Sequence, residues 1–280
     1  MMKFTLNTAA GQPYETYAYT GGKTFDAAKP TLVFIHGVLN DHSVWILQTR
    51  YLAHHGFNVL AVDLPGHGRS SGEAPASVEE AADFIAAVLD AAGVTQAGLI
   101  GHSWGSLIAL ETASRLKNRI THLALVGTAF PMKVSPALIE SSLNEPMKAL
   151  QMVNVFSRAT LSAPPSALGP GTWVYGASMA LGRRVLASNT EVNIFHRGFV
   201  ACDSYANGLE AMASITCPVL FVLGESDQMT PPRAAKSLID QAKAHGKTFM
   251  VAKVPMGHHQ MSEAPEETLN ALKTFLGVAA

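Results

Sequence analysis

Three stretches of this 280-residue chain carry side chains that together could do nucleophilic chemistry. The first is Leu99-Ile100-Gly101-His102-Ser103-Trp104-Gly105-Ser106-Leu107, an apolar run that enters Gly-x-Ser-x-Gly and continues as a helix-like segment. A serine is presented as a nucleophile when a tight strand-to-helix turn thrusts it out of the backbone. Small residues two before and two after it let the chain close around that bend. Gly101 and Gly105 hold those positions around Ser103. The helix behind it would aim its first N–H groups at the place where negative charge develops. An alkyl hydroxyl is a poor nucleophile until a base takes its proton and a third group orients that base. Two further stretches offer such groups: Gly224-Glu225-Ser226-Asp227 and Pro255-Met256-Gly257-His258-His259, each directly after an apolar run. The chain order Ser, Asp, His is the one expected of a nucleophile on this kind of elbow.

Loops that converge in this way lie at the carboxyl ends of strands in an open parallel sheet. The elements needed are legible. Thr31–Ile35, Phe57–Val62, the run before Ser103, Ile120–Val126, Cys217–Leu223 and Thr248–Val254 read as strands, several apolar on both faces as in a covered sheet. Between them, helical spacing runs through Val44–His55, from Ser77 (with Glu80, a capping box) to about Ala92, after Ser103, from Pro231, and at the C-terminus. Such alternation implies parallel strands with right-handed crossovers and helices on both faces. The first thirty residues read as a hairpin at a sheet edge. From Phe130 to about Ala213 the rhythm breaks into helix-like segments separated by prolines. The expected architecture is an α/β core of residues 1–129 and 213–280, a mostly parallel central sheet covered on both faces, with a helical cap inserted over residues 130–212.

Composition narrows the function. Apolar residues make up 48% of the chain, and 20 basic against 21 acidic residues give a net charge of −1. That balance predicts neither a nucleic-acid surface nor an acidic tail. No apolar run approaches the roughly 18 residues of a membrane span, and the N-terminus has no signal-peptide core. Cys202 and Cys217 fit neither a disulfide framework nor a zinc site. A cytoplasmic protein is expected. No His-x-x-x-His pair completes a metal site, and Gly66-x-Gly68-x-x-x-Gly72 has its third glycine one residue late for a dinucleotide loop. Ser114-x-x-Lys117 falls near the end of a helix rather than its start. Neither metal nor organic cofactor is expected.

His36-Gly37, Asp63-Leu64-Pro65-Gly66-His67-Gly68-Arg69-Ser70, the elbow, Gly224-x-x-Asp227, and Gly257-His258 followed by Glu263-x-Pro265-Glu266 stand in one order. In that order they resemble the α/β-hydrolase superfamily, of the kind with an inserted cap. The resemblance implies Ser103 as nucleophile, His258 as base and Asp227 as the acid that orients it, with His259 and Glu225 as alternatives. It implies an oxyanion hole made by the backbone N–H groups of Val38 and Trp104, donors that contribute roughly 3 kcal/mol each to such a barrier. His36, Asp63 and Arg69 are expected to tie down loops.

The inserted segment offers methionines and aromatics for an adaptable apolar wall. Met132, Met152, Trp173 and the Trp104 side chain are candidate substrate contacts. Arg183, Arg184 and Arg197 could catch a carboxylate or face solvent. The reading is a monomer or homodimer that cleaves a small carboxylic ester, thioester or lactone with an apolar acyl or aromatic group, through an acyl-enzyme on Ser103. A C–C bond hydrolase of ring-cleavage diketones and a cofactor-free perhydrolase use the same constellation. A non-catalytic ligand receptor that retains the triad is the alternative of another class. Dehalogenase and epoxide hydrolase relatives place Asp at the elbow, where this chain has Ser103.

Overall fold

Alternation within the apolar runs decides which helix each strand residue meets. The computed structural model describes residues 1–8, 10–159 and 173–278. Eight strands form one sheet: β1 (Met2–Asn7), β2 (Pro13–Tyr19), β3 (Thr31–Ile35), β4 (Asn58–Val62), β5 (Ala97–His102), β6 (Ile120–Val126), β7 (Val219–Gly224) and β8 (Phe249–Val254). Their order is β1-β2-β4-β3-β5-β6-β7-β8. The expected edge hairpin is the antiparallel β1–β2 pair, and β2 joins β4 antiparallel; every later pairing is parallel. Because β3 lies between β4 and β5, the crossovers leave it in opposite directions. A crevice therefore opens at the carboxyl ends of β3 and β5, where such sheets place their ligands.

The helices are α1 (Ile46–His54), α2 (Val78–Ala91), α3 (Trp104–Leu116), α4 (Pro136–Asn144), α5 (Pro146–Ser157), α6 (Val174–Leu186), α7 (Ile194–Ser204), α8 (Gly208–Ser214), α9 (Lys236–Ala244), α10 (Gln260–Glu263) and α11 (Pro265–Leu276). Leu32, Phe34, Val59 and Val222 pack with α1 and α11, while their neighbours Val33, Ile35, Leu60 and Phe221 pack with α2, α3 and α9. Both faces are therefore covered, at about 1.5–3 kcal/mol for each large aliphatic side chain removed from water. At the start of α2, Ser77 Oγ accepts from the Glu80 N–H (3.1 Å), and Glu80 reaches back to the N–H of Ala76 (2.7 Å). Among the described residues, no helix is long and apolar enough to cross a membrane.

Helices α4 to α8 lie in the chain between β6 and β7. Residues of α4, α5, α6 and α7 form their own apolar cluster, which closes over Leu39 and Ala74. α8 behaves differently. Its Ala211 and Met212 belong to the core cluster with α3 and α9, so the expected boundary at 212/213 cuts a helix that packs on the sheet layer. Prolines mark where helices start but do not reveal which layer covers them.

Candidate active site

Strand β5 ends at His102 and α3 begins at Trp104, which leaves Ser103 alone at the bend with φ 53° and ψ −120°. A non-glycine residue held there costs about 1–3 kcal/mol. The surrounding packing holds it in place. A Cβ on Gly101 would lie 2.0 Å from the Gly105 carbonyl oxygen, and one on Gly105 would lie 2.4 Å from that of Ile35. Only two glycines let α3 approach β5 and β3 so closely. The loop after β3 touches the same bend, since a Cβ on Gly37 would sit 3.1 Å from Ser103 Cβ. Among the described residues, the backbone N–H groups of Val38 and Trp104 donate to no protein acceptor.

Asp227 and His258 leave the carboxyl ends of β7 and β8 and meet. His258 Nδ1 lies 2.8 Å from Asp227 Oδ2, and both side chains are buried. Asp227 Oδ1 accepts the N–H groups of Met229 and Thr230, both at 2.8 Å. Burial alone would raise the Asp227 carboxyl. The nearby His258 charge, its hydrogen bond and the Thr230 bonds outweigh burial, and the net effect holds the carboxyl well below the usual range. An ionised Asp227 fixes the proton of His258 on Nδ1 and leaves Nε2 as a base. Glu225, the alternative acid, is exposed, and its backbone N–H donates to the Val254 carbonyl (2.8 Å). His259 is buried with Nδ1 unpartnered and makes no bond to Asp227.

Thr230, three residues after Asp227, escaped the sequence reading. Its Oγ1 lies 2.8 Å from Asp227 Oδ2, 3.0 Å from His258 Nδ1 and 2.9 Å from the Gly127 carbonyl oxygen. It braces the pair against the end of β6; the only sequence trace of this is a hydroxyl residue three positions after the acid. A second brace comes from the end of α5. The His258 N–H donates to the Ser157 carbonyl (2.7 Å), and the Ala159 N–H donates to the buried Glu263 Oε2 (2.8 Å). Arg158, whose guanidinium burial pushes down to about 10 against the opposing charge of Glu263, donates to Ser262 (3.1 Å) and Ser178.

Two cavities share Ser103 and His258 in their walls. One, of about 300 Å³, is lined by Met132, Leu138, Met152, Phe156 and Phe199. The other, of about 50 Å³, lies towards α5 and α6. Met132 and Met152, candidate substrate contacts from the sequence, line a cavity beside Ser103. Trp104 and Trp173 line neither cavity. The Trp104 indole is buried in the core cluster with Leu107 and Leu99 and lies 6.0 Å from the His67 ring, where its large apolar face is removed from water. Trp173 is 63% exposed and stacks on Tyr175 at 5.5 Å. Arg184 pairs with Asp41 (2.6 Å) and Arg197 with Glu73 (2.9 Å), so both tie helices to core loops. His36 Nε2 accepts from the Leu64 N–H (3.1 Å), while Asp63 accepts from the Arg69 N–H (2.9 Å) and from His42. Asp41, His42 and Asp63 bring ligand-type atoms within 4.8 Å of one another. Arg184, Ser43 and Arg69 already occupy those carboxylates, so the group acts as a loop clasp.

This fold and this meeting of loops at a sheet's switch point define a class of protein. The sequence profile of the alpha/beta hydrolase fold matches residues 30–265, and the chain belongs to that family. It is 26% identical over 255 residues to (E)-2-((N-methylformamido)methylene)succinate hydrolase of Acinetobacter baylyi, covering 88% of this chain and 89% of that protein. It is 36% identical over 112 residues to the dihydrolipoyllysine-residue acetyltransferase component of the acetoin cleaving system of Cupriavidus necator, covering 40% of this chain. That match takes in only 28% of the relative's length. Among solved structures, an esterase from Exiguobacterium antarcticum superposes with a TM-score of 0.79 at 19% identity, covering 99% of this chain and all of that one.

Proposed function

We propose that this chain is a serine hydrolase that cleaves a small carboxylic ester, thioester or lactone through an acyl-enzyme on Ser103. The observation that carries the reading is the buried Asp227–His258 Nδ1 contact of 2.8 Å, on a cavity wall shared with a serine at positive φ. His258 Nε2 takes the Ser103 proton as Oγ attacks the carbonyl carbon. The oxyanion rests on the N–H groups of Val38 and Trp104, which have no other acceptor to give up. His258 then protonates the leaving oxygen, or the leaving sulfur of a thioester, and the acyl-enzyme forms. Water, deprotonated by the same Nε2, attacks the acyl carbon and releases Ser103. Helices α4 to α7 act as the cap, and Met132 and Met152 contact the apolar part of the substrate. The similarity to a hydrolase along most of both chains supports hydrolytic chemistry.

A fluorophosphonate probe tests the nucleophile. Wild type is expected to be labelled at Ser103 and Ser103→Ala not at all. A panel of p-nitrophenyl esters of increasing chain length, run beside a vinylogous diketone, tests the bond cleaved. Ester turnover in wild type no better than in Ser103→Ala removes the esterase reading.

A further inference from the structure

Around the smaller cavity, three polar side chains each keep one hydrogen-bonding group that meets no partner among the described residues; Asn154 and His102 are buried and Ser178 is half-buried. Asn154 on α5, only 3% exposed, gives both amide protons away, to the Leu150 carbonyl (3.0 Å) and to Met179 Sδ (3.2 Å). Its Oδ1 can therefore only accept, and it meets no donor among the described residues. Ser178 on α6 accepts from Arg158 Nη2, which fixes its oxygen. Its own proton reaches no acceptor among the described residues. His102 donates from Nε2 to the His258 carbonyl (2.8 Å), so its Nδ1 carries a lone pair, buried and unpartnered. Asn154, Ser178 and His102 all stand in the wall of the cavity of about 50 Å³ that also holds Ser103 and His258.

A polar group that a bound ligand buries without a partner costs about 1–3 kcal/mol. The space exceeds the roughly 10–15 Å³ that one water needs, yet admits only a few heavy atoms. An alkyl group there would strand a donor and an acceptor together, whereas a carbonyl could satisfy only the donor. A hydroxyl satisfies both, accepting from Ser178 and donating to Asn154 Oδ1. Resting on the reading of Ser103 as nucleophile, we propose that this chamber is a recognition subsite for a short hydroxylated group next to the scissile ester. The cavity of about 300 Å³ takes the apolar or aromatic remainder. The substrate class is thus an asymmetric ester, with a small hydroxyalkyl group on one side and a bulky apolar group on the other.

Matched esters in which a hydroxyl replaces a methyl test this in both orientations. Phenyl glycolate is compared with phenyl propanoate, and 2-hydroxyethyl benzoate with propyl benzoate, each kcat/KM normalised to the ester's own hydroxide-catalysed rate. In one orientation wild type is expected to prefer the hydroxylated member about tenfold. Asn154→Leu and Ser178→Ala are each expected to bring that ratio near one. A ratio taken within one preparation does not depend on the fraction of folded enzyme, so partial unfolding of a variant cannot imitate the effect. Ratios within twofold in both orientations, or a preference that survives both substitutions, overturn the subsite while leaving Ser103-dependent hydrolysis standing. Equal hydrolysis by Ser103→Ala overturns the serine-hydrolase reading and the subsite with it.

Discussion

Lowering the pH from 7.5 to 5.5 should destabilise this protein by several kcal/mol, through histidines the fold keeps neutral. Burial, followed by the nearby His36, pushes His67 down to about 3. Burial, followed by His258, holds His102 well below its ordinary value. Burial, followed by Arg158 and then His102, does the same for His259. Each ring has a buried nitrogen without a partner, so a second proton has no acceptor to meet. In the unfolded chain each imidazole titrates near 6.5. The unfolded state then binds more protons than the native state below that value, so stability is fully present above it and is lost as pH falls. At pH 5.5 an unfolded imidazole is about ten-to-one protonated, which is worth about 1.4 kcal/mol per site; the three sites together give about 4 kcal/mol. Asp227 adds nothing in this window, because its depressed carboxyl parts from the unfolded chain only below about pH 4. His36, also lowered by burial, acts in the same direction as the three rings. Urea unfolding at the two pH values measures the difference directly. The matching fall in Tm is roughly 10 °C at about 2–4 °C per kcal/mol. His67→Asn should remove about one of the three protons taken up on unfolding. A stability change under about 1 kcal/mol between pH 7.5 and 5.5 would refute the claim that these rings stay neutral.

Other substitutions test the brace and the elbow. Thr230→Val keeps shape but removes the hydroxyl shared by Asp227, His258 and Gly127; kcat should fall about tenfold with KM little changed, in steady-state assays on a p-nitrophenyl ester. Gly101→Ala puts a Cβ 2.0 Å from the Gly105 carbonyl oxygen, where only backbone movement relieves the clash. About 3 kcal/mol or more of stability should be lost, read from the urea midpoint, and fluorophosphonate labelling should fall even in the folded fraction.

The centre of the sheet was legible because β3 to β7 are short apolar runs closed by turns, and because parallel pairing between covering helices makes both of their faces apolar. The candidate site was legible for a related reason: Ser103, Asp227 and His258 each lie within a few residues of the end of such a run, so locating the strand ends also located the residues proposed to react. Local pattern stops at the side chains whose environment is made by distant chain. Nothing near Trp104 says that its indole turns into the core. Nothing near Ser157 says that its carbonyl receives the His258 N–H from about a hundred residues away. The exposure of Trp173 likewise depends on which face of α6 meets α5, a choice that several apolar side chains on both helices leave open.

The unpaired buried atoms give the site a single physical character. Among the described residues, His67 Nε2, His102 Nδ1, Trp104 Nε1, Ser157 Oγ, Arg158 Nε and His259 Nδ1 are buried without partners at the elbow, at the end of α5 and in the loops beside them, while others, such as Thr16 Oγ1 and Ser141 Oγ, lie away from it. Folded proteins usually satisfy such groups, and each exception costs about 1–3 kcal/mol. Ser103 adds the strain of its positive φ. The two core clusters on the faces of the sheet must offset this, and they are continuous on both sides of the elbow. Repair at the site would therefore work against function. Filling the small cavity with a larger apolar side chain, or relaxing Ser103 to an ordinary helical φ, would remove the open donors, the acceptors or the hydroxyl on which the proposed reaction depends. Stabilising changes should be compatible with activity on α2, α9 and α11, and should trade against it wherever they touch the carboxyl ends of β3, β5, β7 and β8.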